Sequence, residues 1–213
     1  MRIPFAVLLF FLASCFALAA ELALGRFSAG DLSGWKDESF RGKDKTAYSL
    51  VEQDGRKVVE ARSRHSASGL LKKVDLDPAK YPLLRWSWKI AHTVQREDVS
   101  KKGGDDFAAR VYLVFPGTFF WRTRALNYVW SARIPQNTVV PSPYTANVAI
   151  VAVESGDRSA GTWKIEERNI RDDFRRAFGE EPPRIGAIAI MTDTDDTGDE
   201  ASAWYGDIFL ASQ

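Results

Sequence analysis

The segment Leu83-Leu84-Arg85-Trp86-Ser87-Trp88-Lys89-Ile90-Ala91 carries the clearest structural signal in the chain. Leu84, Trp86, Trp88 and Ile90 fall on one side of an extended backbone, and Arg85, Ser87 and Lys89 on the other. A period of two with one apolar face is the pattern of a half-buried antiparallel strand. Residues 106–115 repeat it, with Phe107, Ala109, Val111, Leu113 and Phe115 opposed to Asp106, Ala108, Arg110 and Tyr112. Residues 48–53 and 57–63 flank Asp54-Gly55, a dipeptide favoured by two-residue hairpin turns. Further strand patterns at 69–74, 126–132, 147–154, 162–168, 185–192 and 203–210 bring the total to roughly ten.

One helix is predicted. Asn169 supplies a cap, Asp172 follows three residues later, Phe174 and Phe178 stack at i,i+4, and Gly179 with Pro182-Pro183 ends the run. Many short strands, one short helix and no strand–helix alternation predict an all-β fold: an antiparallel, jelly-roll-like β-sandwich over residues 21–213 as one domain.

The composition narrows the function. The 213 residues hold 29 Lys+Arg and 28 Asp+Glu, a formal net charge of +1, with 45% hydrophobic residues. Mean hydropathy is −0.25. Apolar content of this order offsets the entropy of ordering a chain. Charge balance leaves no positive field for counterion release from a phosphate backbone, so nucleic acid is not an expected partner.

Residues 1–20 read as a secretory signal peptide: Arg2, an apolar run from Ile3, then Ala17-Leu18-Ala19-Ala20 as an A-x-A-type cleavage site. Leu12-Ala13-Ser14-Cys15 is an alternative lipobox, in which a lipid on Cys15 would tie the protein to a membrane. Either way a periplasmic or secreted protein is expected. Cleavage at Ala19 or Ala20 removes the chain's one cysteine, and with it any disulfide, thiolate metal site or Cys nucleophile.

Several residues are candidates for chemistry. Asp193, Asp195 and Asp199, spaced around Gly198, resemble the opening of a calcium loop, although Trp204 stands where a closing Glu belongs. Oxygen donors alone make calcium the metal of choice, and an Asp/Thr turn bonded to its own backbone is the alternative. Arg110 lies on a strand face where a guanidinium needs a partner, with Asp106, Glu167 and Asp193 as the options; a ligand carboxylate or sugar hydroxyls would also serve. Glu167 with Asp106 or Asp193 would be the carboxyl pair of a glycosidase. Tyr128 and Trp130 share a face as a stacking platform for a ligand, and Phe119, Phe120, Trp121 and Tyr144 are loop aromatics. His65 and His92 belong to no triad-like motif.

Three groups of residues carry a family resemblance: Gly104-Asp105-Asp106-Phe107-Ala108-Ala109-Arg110-Val111-Tyr112, Leu126-Asn127-Tyr128-Val129-Trp130, and Met191-Thr192-Asp193-Thr194-Asp195-Asp196-Thr197-Gly198 with Trp204-Tyr205-Gly206-Asp207-Ile208. Together they resemble the bacterial domain of unknown function DUF3047, which implies an exported protein and supplies no catalytic residue. The layout is also similar, more loosely, to galactose-binding-like jelly rolls of carbohydrate-binding modules. The expectation is a non-catalytic β-sandwich that binds a saccharide or similar polar envelope ligand through Asp106, Arg110, Tyr128, Trp130, Glu167 and Asp193. A glycan-active hydrolase and a structural protein that contacts an envelope partner are the alternatives.

Overall fold

The computed structural model describes residues 20–212. The expected signal segment and Cys15 lie outside the described residues, apart from Ala20. The described strands are, in chain order, β1 (Glu21–Gly25), β2 (Trp35–Ser39), β3 (Ala47–Gln53), β4 (Arg56–Arg64), β5 (Ala67–Leu76), β6 (Leu83–Ile90) and β7 (Ala109–Phe115). They continue with β8 (Arg124–Ser131), β9 (Val139–Pro141), β10 (Val148–Ser155), β11 (Lys164–Asn169), β12 (Ile185–Asp193) and β13 (Glu200–Ala211), with helix α1 (Ile170–Phe178) between β11 and β12. The ten expected strands are all present. The pattern missed β1, β2 and β9, which are short or polar on both faces.

Two sheets form a jelly-roll-like sandwich. One has the order β11-β6-β13-β4-β3, with β1 beside the second half of β13; the other has the order β2-β5-β12-β7-β8-β10-β9. Pairing is antiparallel with one correction to the expected pattern. β10 runs parallel to β8, Val148 opposite Ala125, while β9 pairs antiparallel with β10. A parallel neighbour needs a crossover connection, and residues 132–147, which include β9, provide it.

Alternation in β6 and β8 sets the core. Trp86 and Trp88 point inward from the first sheet and Tyr128 and Trp130 from the second, all at most 2% exposed. Ring centroids lie 5.5 Å apart for Trp86 and Tyr128 and 6.0 Å for Trp88 and Trp130. Each such ring buries on the order of 150–250 Å², so this seam is a large share of what joins the sheets. It also corrects the expected ligand platform: Tyr128 and Trp130 are core residues with no face open to a ligand.

Helix α1 begins as predicted. The Asn169 Oδ1 accepts from the backbone N–H of Arg171 and Asp172, at 3.1 and 3.2 Å. Gly179, at φ +74°, ends the helix in the left-handed region that suits glycine. The helix packs Phe174 against Phe115 at the end of β7, ring centroids 4.7 Å apart.

Candidate functional site

The outward face of the seven-stranded sheet holds a groove with a cavity volume of about 500 Å³. Its position follows from the strand period. In β7 and β12, Val111, Leu113, Ile188 and Ile190 face the other sheet, so Arg110, Tyr112, Val114, Ala189, Met191 and Asp193 face outward. Leu71 and Gly69 of β5 and Val148 of β10 extend this floor. Gly69 keeps it low, since a Cβ there would stand 2.9 Å from the Ile190 carbonyl oxygen.

Three connections supply the walls. Phe40 and Lys43 come from the β2–β3 connection, Ser142, Tyr144 and Thr145 from β9–β10, and Asp195 and Asp196 from β12–β13. They tie to one another. The Lys43 ammonium donates to Asp195 and stands 3.6 Å from Asp196. The Tyr144 hydroxyl donates to Asp196 Oδ2 at 2.5 Å. The Asp195 bond raises the Lys43 pKa above its ordinary value, and partial burial with the Asp196 contact raises that of Tyr144.

Arg110, 2% exposed, closes one end. Its Nε donates to Asp193 Oδ1 at 2.7 Å, and its Nη2 to Asp193 Oδ2 and the Asp105 carbonyl, both at 2.5 Å. Its Nη1 donates to Asp105 Oδ1 and the Tyr112 hydroxyl, both at 3.1 Å. A guanidinium has five N–H donors, and these five bonds use all of them. The Phe107 ring covers the guanidinium, 4.4 Å from centroid to Cζ. Burial works against the charge, and Asp193, Tyr112 and Asp105 overcome it and hold Arg110 protonated well above its usual range. Arg110 thus pairs within the protein and has no donor left to grip a ligand. Phe107 is a further correction: it sits on the outward side with Val129 and Ile150, because strand geometry starts only at Ala109.

The expected site residues divide. Arg110 and Asp193 line the groove. Asp106, 0% exposed, turns under the β12–β13 connection and accepts from the N–H of Asp196 and Thr197, at 3.3 and 2.5 Å. Burial pushes its carboxyl up. Glu167 belongs to the other sheet and binds Arg85 at 2.5 Å, so it forms no carboxyl pair with Asp106 or Asp193. The inward acid of β11 is instead Glu166, which accepts from Trp88 Nε1 at 3.0 Å and is pushed up to about 7 by burial.

The expected metal set is also regrouped. Asp193 is spent on Arg110, and Asp199 accepts from the Glu200 N–H at 2.9 Å. The carboxylates that approach one another are those of Asp106, Asp195 and Asp196, within 4.8 Å. Lys43 already supplies a positive charge to two of them. Phe119 and Trp121, stacked at 4.8 Å and about half exposed, lie outside the groove lining, whereas Tyr144 is part of it.

Sequence reasoning assigned no role to Asp105, Tyr112, Lys43, Glu38 or Phe40. Alternation had put Tyr112 on the Arg110 face, and that signal sufficed to find it. Nothing local links Glu38, Phe40 or Lys43 to Asp195.

Comparison with known proteins agrees with the family resemblance. Residues 33–209 match the family described as "Protein of unknown function (DUF3047)", and the chain belongs to that family. No curated protein matches it significantly. Among solved structures, it is similar to two variants of a family 29 carbohydrate-binding module, each at 9% identity and a TM-score of 0.43. The match covers 92% of this chain and 87% and 94% of theirs. It is also similar to the enzymatically active domain of tailspike protein 4 from bacteriophage CBA120, at 12% identity and a TM-score of 0.45. That match covers 87% of this chain and 20% of the phage chain.

Proposed function

We propose that this DUF3047 protein is a non-catalytic binding module that takes a saccharide into the groove on its seven-stranded sheet. The observation that carries the reading is an apolar floor under a rim rich in hydrogen-bond acceptors. Leu71, Val114, Ala189 and Met191 offer aliphatic surface, and Glu38, Asp105, Asp195 and Asp196 offer carboxylate oxygens at the margin. Carboxylates only accept, so the matching ligand is rich in donors and has an apolar face. A pyranose satisfies both needs, with its C–H face on the floor and its hydroxyls toward the rim. A cleft of this size with an apolar floor and polar groups at its margin has the general form of a small-ligand site.

The carboxyl pair expected of a glycosidase is divided, with Glu167 on one sheet and Asp193 on the other, whereas such an enzyme needs its two carboxyls within about 5–9.5 Å of one another, and this removes that pair as a reason to propose turnover. Export to the periplasm or beyond is part of the proposal and rests on the residue pattern of 1–20. A glycan array probed with the unaltered protein and with Ala189→Trp tests the reading. The Trp fills the groove from its floor, and thermal melting checks that the variant stays folded. Retention of a defined glycan that the folded variant loses supports binding. Release of a product moves the protein to the enzymes, and retention of no glycan overturns the proposal.

A further inference from the structure

Resting on the saccharide reading, we infer that the groove selects a sugar carrying a protonated amine over neutral, N-acetylated or acidic sugars. The charges that line it are unequal. Glu38, Asp105, Asp193, Asp195 and Asp196 contribute five carboxylates, against the two cations Lys43 and Arg110. Both cations are engaged: Arg110 uses every donor on Asp193, Asp105 and Tyr112, and Lys43 lies on Asp195 and Asp196. An arriving carboxylate, sulfate or phosphate therefore meets a guanidinium with every donor used and an ammonium already held by two carboxylates, and it faces a surplus of negative charge.

Glu38 is the acid available to a ligand. It is exposed, on the edge strand β2, and forms no ion pair among the described residues. Its neighbour across the ladder is Gly69. Directly opposed residues share a sheet face, and a glycine raises no side chain between the Glu38 carboxylate and the floor. An ammonium group on a sugar seated over Met191 and Ala189 is in reach of that acid, and the cleft walls reduce screening by solvent.

The experiment is calorimetric titration with four tetrasaccharides: glucose, 2-amino-2-deoxyglucose, its N-acetylated form and a uronic acid. The titration is run at about pH 5.5, where a sugar amine is protonated. The amine tetramer is expected to bind about tenfold tighter than its acetylated twin, a difference that shrinks in high salt. Glu38→Gln, on an exposed edge, brings the amine-to-acetyl ratio close to one. Lys43→Ala frees Asp195 and Asp196 and widens the ratio. Equal affinity for the amine and acetylated tetramers, or tighter binding of the uronic acid, overturns the selectivity and leaves the saccharide reading standing. Binding of none of the four overturns both.

Discussion

Arg110 and Asp193 meet side-on, Nε to Oδ1 at 2.7 Å and Nη2 to Oδ2 at 2.5 Å, with both side chains at most 4% exposed. This bidentate contact locks β7 to the last residue of β12, where the acidic connection starts. Asp193 also accepts from the Phe107 N–H at 3.1 Å. The pair therefore holds together the end of the sheet, the Phe107 cover and the groove wall.

Removing Asp193 takes two hydrogen bonds and the closer counter-ion from a buried guanidinium and leaves it Asp105 alone as carboxylate partner. Asp193→Ala is expected to lower stability by about 3–5 kcal/mol, the usual cost of breaking a buried ion pair. Arg110→Met combined with Asp193→Leu should lose less than the two single changes summed. Urea denaturation of the four proteins gives the coupling energy; additive losses would show that the contact carries no coupling.

Trp130→Ala should unfold rather than unseat. The indole packs on Trp88 in the intersheet seam and donates from Nε1 to the Gly156 carbonyl at 3.0 Å. Truncation of a buried Trp costs about 3–5 kcal/mol. Any binding deficit should vanish when the comparison is made at equal folded fraction, and a ligand defect in a variant of unchanged melting temperature would restore the platform reading.

Glu166 gives the stability a pH dependence of known sign. Its carboxyl is pushed up to about 7, first by burial, against an ordinary 4.5, while the Trp88 hydrogen bond opposes the rise. The folded state thus holds this proton more tightly than the unfolded chain does. Below the unfolded value there is no penalty. As pH rises from about 4.5 through about 7 the folded state loses stability relative to the unfolded one, and above that the loss is constant. Glu166→Gln keeps the acceptor for Trp88 and removes the titration, so it should be more stable than the parent at pH 8 by about 1–2 kcal/mol and nearly equal at pH 4. Denaturation midpoints at the two pH values check this; a gain of the same size at both would assign the effect to something other than ionisation.

The helix start is a smaller test. Asn169→Ala removes the acceptor for two backbone N–H groups and should cost about 1 kcal/mol. Asn169→Asp should restore most of it, as read from thermal melting.

Much of this architecture is legible in residue order because burial on a sheet is a local, alternating property. Trp86 and Trp88 had to share a face, and Arg110 and Tyr112 the opposite one from Val111, whatever their partners. The Asn169 cap and the Gly179 stop are local for the same reason, since each acts within one helical turn. Alternation does not say which face meets the second sheet and which meets a ligand. That is why Tyr128 and Trp130 read as a platform, and why Glu167, outward on a different sheet, read as a partner for Asp193. The same ambiguity hid Glu166, whose inward place follows from pairing with β6.

Residue order therefore settled the strand period, the helix ends and the family, because each depends on neighbours a few positions apart. Packing of the two sheets settled the groove: Lys43, Tyr144 and Asp196 are far apart along the chain and become neighbours only when three connections gather at one sheet end. It also settled the state of Arg110, since spending five donors on Asp105, Tyr112 and Asp193 requires β12 to lie beside β7. No local pattern encodes that adjacency, which is chosen by the burial of both sheets at once.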